Sequence, residues 1–303
     1  MPDVETRRIL QHAKEELKRD LTLVLENKKG NRNTVITVND GKNDLIVKAG
    51  LDVETDYLAL SILNEIGFPS PKVLSYSSYH STGINCGVVI MSKLAGIQVR
   101  SLSPERRSQA VSNLIDELEK LRMCKSVGGA GSIKIVNNVE SLSWKEYLEK
   151  VIDEAEKDLK ISNPVTSAIL VDWETISSTI EFVRPDIASL PSDLELNLLH
   201  NDLNLTNCLA TAEQFVGIVD WSDAIYGDWL YDLARLRMNL EQSRDEYSLE
   251  AYRLKVRINP EETKRERLYY LCRLIEYLGI YRKYGDDHWF NRNQQLLLEA
   301  IAS

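Results

Sequence analysis

The segment spanning residues 198–232 constrains the fold and the chemistry of this chain more than any other part of it. It contains His200, Asp202 and Asn207 in the pattern H-x-D-x-x-x-x-N. A loop of this length lets the aspartate meet a substrate hydroxyl while the asparagine turns back toward a metal, which is the division of labour that phosphoryl transfer requires. We therefore expect Asp202 to be the catalytic carboxylate.

An apolar strand follows this loop and ends in a second carboxylate. Residues 215–219 are apolar and come after the polar residues 211–214, which predicts a hairpin that delivers Asp220 to the same end as Asn207. Two oxygen ligands would then face one Mg²⁺. Because Mg²⁺ keeps several waters and usually takes one or two protein carboxylates plus phosphate oxygens, this sparse ligand set predicts a metal that arrives with a nucleotide.

Together with the motif G-D-W-L-Y-D at residues 227–232, these residues resemble the aminoglycoside phosphotransferase family, which are small-molecule kinases with a protein-kinase-like fold. The resemblance implies that Asp202 is the catalytic base and that Asn207 and Asp220 bind Mg²⁺. It also implies that His200 supports the loop.

The same resemblance makes Asp232 a structural residue that ties the start of a helix to the catalytic loop. The continuation D-W-S-D-A-I-Y-G-D is similar to the hygromycin kinase branch of the family. Asn201 departs from the family pattern, since many members have glycine there, and H-N-D also occurs in choline and ethanolamine kinases.

Upstream residues supply the candidates for binding a nucleotide. Residues 44–48 form an apolar strand that ends in Lys48, and a lysine on a strand can pair with the α- and β-phosphates. Ile46 shares its strand face and would pack against the adenine. By family spacing the carboxylate partner of Lys48 is Asp56, whereas Glu54 has the longer side chain, so both stay open.

Two further segments resemble parts of the family's nucleotide-binding lobe. Residues 67–74 match the link G-x-P-x-P-x-V-L, and residues 88–96 match the strand and hinge between the lobes. Met91, Ser92 and Leu94 are therefore expected at the adenine, where backbone groups of the last two would form hydrogen bonds. The phosphate-covering loop is expected at residues 27–33, although this segment has only one glycine.

The predicted fold class is α+β, a protein-kinase-like bilobal fold with a small antiparallel sheet in the N-terminal lobe and a larger, mainly helical C-terminal lobe. The lobes are expected at residues 1–92, with one helix, and 93–303. Caps and apolar periodicity predict the helices of the second lobe. They are expected from Pro104 to before Gly128, from Ser143 through Leu159, from Trp173 to Val183, from Pro260, and after Asp287.

Composition limits the class of protein. At 303 residues, 43% apolar and 27% charged, the chain can bury a core large enough for two lobes. The N-terminus is too charged for a secretory segment and no stretch approaches the roughly 20 apolar residues of a membrane helix, which predicts a cytoplasmic protein that does not enter membranes. The four scattered cysteines predict neither a disulfide framework nor a zinc site. No pattern specifies an oligomeric state.

Net charge and motifs together define the expected reaction. A net charge of −9 argues against nucleic acid as a partner and would suit a cationic acceptor. We expect transfer of the γ-phosphoryl group of ATP or GTP to a small-molecule hydroxyl, with an antibiotic-inactivating aminoglycoside kinase as first candidate. Metabolic kinases of choline, homoserine or sugars share the fold, and a non-catalytic nucleotide-binding module is a further alternative. Asp223 and Glu241 are candidate carboxylates for a cationic acceptor.

Overall fold

The computed structural model describes residues 3–26, 33–81, 84–126, 128–134, 142–161 and 173–302. The predicted phosphate-covering loop, apart from Asn33, lies outside these ranges. The chain divides into two compact units. The first comprises Met1–Leu102, Ser132–Asn137 and Leu205–Ala224, and the second comprises Ser103–Gly131, Asn138–Asn204 and Ile225–Ser303. The boundary predicted at residue 92 falls inside the first segment of the first unit.

A five-stranded antiparallel sheet forms the centre of the first unit, in the order β1-β2-β3-β5-β4. One of its faces forms an apolar core, in which Ile36, Val47 and Ile90 are fully buried, as expected when side chains alternate along a strand. The strands are β1 (Thr22–Glu26), β2 (Asn33–Asn39), β3 (Asp44–Gly50), β4 (Val73–Ser81) and β5 (Ile84–Ser92).

Two helices accompany this sheet, whereas the sequence predicted one. Helix α1 (Val4–Leu17) was missed because most of its side chains are polar or charged. Its narrow apolar stripe, with Ile9 and Ala13 one turn apart, joins the buried core of the sheet, and Asp3 caps its first turn by accepting the Thr6 N–H. Helix α2 (Val53–Glu65) is the predicted one.

The predicted catalytic hairpin also belongs to the first unit. Strands β9 (Cys208–Ala210) and β10 (Phe215–Ile218) pair antiparallel, and β6 (Ile97–Gln98) adds a third strand beside β9. The hairpin packs against the proline-rich link at residues 67–74, where the Ile218 N–H donates to the Pro69 carbonyl at 3.0 Å. Only glycine fits at Gly217, because an added Cβ would lie 2.5 Å from that carbonyl oxygen.

The second unit is mainly helical. Its helices are α3 (Pro104–Leu121), α4 (Trp144–Leu159), α5 (Trp173–Ser189), α6 (Leu230–Gln242), α7 (Glu246–Lys255), α8 (Pro260–Tyr284) and α9 (Asp287–Ala302). A three-stranded sheet has the order β7 (Gly131–Ser132), β11 (Ile225–Gly227), β8 (Asn197–Leu199). Across the described ranges, no helix is both long and apolar enough to span a membrane.

Helix boundaries follow the predicted caps with one difference. Pro104 and Pro260 stand at the start of their helices, and Ser143 forms the predicted capping box with Glu146. Helix α5, however, continues beyond Val183 to Ser189. Its interior proline costs one backbone hydrogen bond, but the burial of Val183 and Ile187 on one face favours continuation of the helix.

Candidate active site

Lys48 lies in β3 of the first unit, between Val35 of β2 and Val89 of β5 in register. Its side chain is 7% exposed. The ammonium nitrogen is 2.7 Å from Asp56 Oδ2 and 2.7 Å from Asp220 Oδ1. The sequence left the carboxylate partner of Lys48 open between Asp56 and Glu54. The contact to Asp56 identifies that residue as the partner, and Glu54 is exposed.

Two carboxylates share this one ammonium group, and the pKa shifts reflect it. Burial opposes the charge of Lys48, but Asp56 and Asp220 outweigh it and raise the pKa of the lysine. Burial also raises the pKa of Asp56, since Lys48 offsets the desolvation only in part and the second carboxylate adds repulsion. The group carries a net negative charge, which suits binding of a cation.

Ser222 completes this group and was not anticipated from the sequence. Its hydroxyl accepts from Lys48 Nζ at 2.5 Å and lies 2.9 Å from both Asp56 Oδ2 and Asp220 Oδ1. The available signal was its position two residues after Asp220. Ser222 lies in a turn in which the Ala224 N–H donates to the Trp221 carbonyl at 3.1 Å.

The end of the hairpin brings Asn207 beside Asp220. The Val219 N–H donates to the Asn207 carbonyl at 2.9 Å, so the two strands place these residues at the same end, as predicted. Asp220 has a left-handed backbone (φ 65°), and its side chain is 55% exposed.

The oxygen donors at this hairpin end fit Mg²⁺. Among the described residues, no three His, Cys, Asp or Glu side chains cluster in a way that could hold a metal ion. The candidate donors are the Asp220 carboxylate and the Asn207 amide oxygen. One carboxylate with one neutral oxygen matches the sparse protein coordination of Mg²⁺, whose other positions are taken by phosphate oxygens and water.

The candidate adenine residues lie on the same sheet as Lys48. Ile46 is directly opposite Met91 in the β3–β5 register, and both share the strand face of Lys48 because side chains alternate. The Ser92 N–H donates to the Lys72 carbonyl at 2.9 Å. Its N–H is therefore occupied, and the carbonyl is the group that Ser92 could offer to a ligand.

In the second unit, the H-N-D segment (residues 200–202) follows β8, and helix α6 forms hydrogen bonds to its backbone. Asp232, in the first turn of α6 and 2% exposed, accepts the backbone N–H of His200 at 2.7 Å and of Asn201 at 2.9 Å. Burial raises the pKa of Asp232, and the backbone donors act against that shift. Asp232 thus contacts the loop backbone rather than the carboxylate of Asp202.

The backbone of Asn201, where the resemblance leads us to expect glycine, has a conformation that suits glycine. Its φ is 68°, a left-handed conformation that glycine adopts freely and asparagine tolerates better than most residues. Arg273, which is 1% exposed, donates to both the carbonyl oxygen of Asn201 at 2.9 Å and its Oδ1 at 2.6 Å. This side-chain bond compensates in part for the strained conformation.

Asp202 is clamped by two residues that the sequence analysis missed. Arg235 Nη2 and the Tyr277 hydroxyl both donate to Asp202 Oδ1 at 2.9 Å, and Arg235 Nε donates to the Tyr277 oxygen at 2.9 Å. The three groups form a closed triangle. Arg235 lies one turn after Asp232 on α6, which is a local signal, but Tyr277 is on α8 and has none.

The clamp keeps Asp202 ionised. Burial tends to raise the pKa of Asp202, but the charge of Arg235 and the hydrogen bonds from Tyr277 and Arg235 outweigh it, so the pKa lies below its ordinary value. A carboxylate of this kind is a weak base. It is therefore better suited to orienting a substrate hydroxyl than to removing its proton early in the reaction.

The two carboxylates expected for a cationic acceptor lie in different settings. Asp223 is exposed. Glu241, expected to bind a cationic acceptor, already has partners within the protein. Arg237 Nε donates to it at 3.0 Å, and the Tyr270 hydroxyl also binds it. Along α6, Glu241 lies about 9 Å beyond Arg235 at the usual helical rise. The structure therefore does not bring Glu241 to Asp202.

Comparison with known proteins identifies similar sequences and folds. A family model described as the phosphotransferase enzyme family (APH) matches residues 24–263, whereas curated protein sequences contain no match. The crystal structure of aminoglycoside phosphotransferase APH(4)-Ia is 15% identical over 98% of both chains, with a TM-score of 0.73. A ternary complex of a thermostable mutant of that enzyme with AMP-PNP and hygromycin B is 16% identical over 97% of both chains (TM-score 0.71).

A third structure, a GDP complex of an aminoglycoside 2′-phosphotransferase-IIIa mutant, is 18% identical over 98% of this chain and 96% of the other, with a TM-score of 0.65. At such low identity these similarities show the fold. The predicted α+β, protein-kinase-like fold class is confirmed.

Proposed function

Because the chain belongs to the phosphotransferase enzyme family, we propose that it transfers the γ-phosphoryl group of ATP or GTP to a hydroxyl group of a small molecule. The observation that carries this proposal is the group formed by the buried Lys48 and Asp56 with the more exposed Asp220. A lysine on a sheet strand, paired with a helix carboxylate and a carboxylate at the end of a hairpin, is what phosphate alignment requires.

Each side chain has a defined task in this reaction. Lys48 would align the phosphates, and Asn207 and Asp220 would hold Mg²⁺, which when bound neutralises charge on the phosphate oxygens. Asp202, kept ionised by Arg235, would orient the acceptor hydroxyl and receive its proton as the bond to phosphorus forms. Catalysis of this kind depends mostly on positioning and charge.

The strand end at residues 91–94 would bind the purine. Ile46 and Met91 provide an apolar surface on the strand face of Lys48. The Ser92 carbonyl and the Leu94 N–H would supply one acceptor and one donor for the edge of the base. The Ser92 N–H is excluded from this role because it is bonded to Lys72.

An aminoglycoside is our first candidate for the acceptor. The motif D-W-S-D-A-I-Y-G-D supports it, as does the similarity to an enzyme fold whose ternary complex contains hygromycin B. Because a shared fold does not determine a substrate, choline, homoserine and sugars are the alternatives. Asp223 is the carboxylate that we propose for contact with a cationic acceptor.

The test is Mg²⁺-dependent phosphate transfer from labelled ATP and GTP to aminoglycosides, choline, homoserine and sugars. We expect transfer to one of these classes, and a loss of about 100-fold or more in Asp202→Asn. Asparagine is preferred to alanine because it keeps an acceptor for Arg235 and Tyr277. Nucleotide binding with neither transfer nor hydrolysis would instead favour the non-catalytic module, and absence of nucleotide binding would refute the proposal.

The variant Asp223→Asn removes the charge of the side chain but keeps its size, and it tests whether the acceptor is cationic. If the acceptor is cationic, KM for that acceptor should rise while KM for the nucleotide stays unchanged. An unchanged KM for every cationic acceptor would remove Asp223 from the binding site.

A further inference from the structure

The hydroxyl of Ser222 contacts all three charged members of the nucleotide-side group. It accepts from Lys48 at 2.5 Å and is 2.9 Å from one oxygen of Asp56 and 2.9 Å from one oxygen of Asp220. A hydroxyl has one proton to donate. Ser222 can therefore satisfy only one of these carboxylates at a time, and the two equal distances make them alternative acceptors.

Lys48 has no spare donor while this arrangement lasts. An ammonium group has three N–H bonds, and three protein oxygens surround it: Asp56 Oδ2, Asp220 Oδ1 and Ser222 Oγ. To donate to a phosphate oxygen, Lys48 must give up one of these contacts. Asp220 is the contact it can most easily leave, because that carboxylate is 55% exposed and able to take another cation.

Asp56 cannot lose donors in the same way. It is 1% exposed, so water does not replace a missing hydrogen bond, and a buried carboxylate without donors is strongly destabilised. Any shift of Lys48 toward a phosphate that lengthens its bond to Asp56 must therefore be offset by another donor. The donor within reach of Asp56 Oδ2 at that moment is the Ser222 hydroxyl.

We infer that Ser222 is a positioning residue whose hydroxyl redirects its hydrogen bond from Asp220 to Asp56 when a divalent cation binds Asp220, which releases one N–H of Lys48 for a nucleotide phosphate. The inference rests on the proposed function and adds a coupling between the metal site and the lysine. Ser222 acts through Lys48 and does not itself touch the phosphate.

The test measures how much the phosphates contribute to nucleotide affinity. Calorimetric titration gives Kd for adenosine and ADP, or guanosine and GDP if these bind more tightly, with and without Mg²⁺. The ratio of nucleoside Kd to diphosphate Kd isolates the phosphate contribution. In Ser222→Ala with Mg²⁺ this ratio should fall about fivefold, the equivalent of one hydrogen bond, while the nucleoside Kd stays unchanged.

Two variants serve as controls. Ser222→Thr keeps the hydroxyl and should restore most of the ratio. In Lys48→Met the phosphate contribution is already lost, so adding Ser222→Ala should lower the ratio no further if Ser222 acts through Lys48. Additive losses would overturn the inference.

The other outcomes separate the inference from the function it rests on. If Ser222→Ala binds diphosphate with the wild-type ratio, or loses nucleoside and diphosphate affinity equally, the positioning role of Ser222 is wrong and the proposed kinase activity stands. If the wild-type protein binds neither ADP nor GDP, the proposed function itself fails and the inference fails with it.

Discussion

Replacing Asp202 by alanine, the usual way to inactivate a candidate catalytic aspartate, should destabilise this protein strongly. Arg235 is 5% exposed at its side chain and its ion pair is with Asp202, while its Nη1 has no hydrogen-bond partner among the described residues. Removing the side chain leaves a buried guanidinium with neither a counter-charge nor the oxygen that accepts its hydrogen bond, which costs about 3–5 kcal/mol. We expect Asp202→Ala to lower the free energy of unfolding by that amount.

Asp202→Asn should cost much less. Its amide oxygen can still accept from Arg235 and Tyr277, so the guanidinium loses its counter-charge but keeps its acceptor, and we expect a cost of about 1 kcal/mol. Removing Arg235 should also cost less than Asp202→Ala, because the Asp202 side chain that is then unpaired is 35% exposed and water can solvate it. Arg235→Met should therefore cost about 2 kcal/mol.

Equilibrium urea unfolding of the four proteins tests this asymmetry, and the double variant Asp202→Ala/Arg235→Met completes the cycle. We expect the double variant to be more stable than Asp202→Ala alone, since it contains no buried unpaired charge. Equal stability of the alanine and asparagine variants, or strict additivity in the cycle, would refute the reasoning.

The pH dependence of this stabilisation has a definite sign. The pKa of Asp202 in the folded protein lies below its ordinary value of 3.8, so the carboxylate stabilises the fold fully above that value. The contribution is lost as pH falls below 3.8 through the lowered folded pKa. The stability difference between wild type and Asp202→Asn should therefore be constant near neutral pH and shrink in that acidic range.

Two further substitutions test packing and backbone strain. Gly227→Ala should destabilise the protein by about 1–3 kcal/mol, because an added Cβ would lie 2.5 Å from the ring of Trp144. Thermal unfolding measures this loss. Gly128→Ala is the control, since Gly128 has open space around it, and this variant should melt like the wild type. Asn201→Gly should be more stable than Asn201→Ala by about 1 kcal/mol in urea unfolding, since only the alanine is strained at φ 68°; an equal effect of both would mean that the lost contact to Arg273 dominates.

The parts of the site that depend on local motifs were predictable from the sequence. Asn207 and Asp220 could be placed together because a hairpin of known length fixes which residues share an end. Helix starts at Pro104, Ser143 and Pro260 were predictable because capping chemistry acts over three or four residues.

The rest depends on contacts between elements distant in sequence. The choice between Asp56 and Glu54 depends on how α2 is rotated against β3, which no local pattern reports. The clamp on Asp202 needs Tyr277 from α8, 75 residues further along the chain. Ser222 is informative only once Asp56 and Asp220 are known to converge on one lysine.

The arrangement around the H-N-D segment shows how buried charge can serve catalysis at some cost to stability. Asp232 accepts two backbone N–H groups of the loop. Arg273 donates to the Asn201 carbonyl, and Arg235 donates to one oxygen of Asp202. Each charge would be expensive to bury alone, but each has a partner in the loop. Since the loop conformation is fixed before substrate binds, little reorganisation remains for the reaction itself. Arg235, Arg273 and Asp232 therefore determine the orientation of the loop and of Asp202, the residue that we propose meets the substrate.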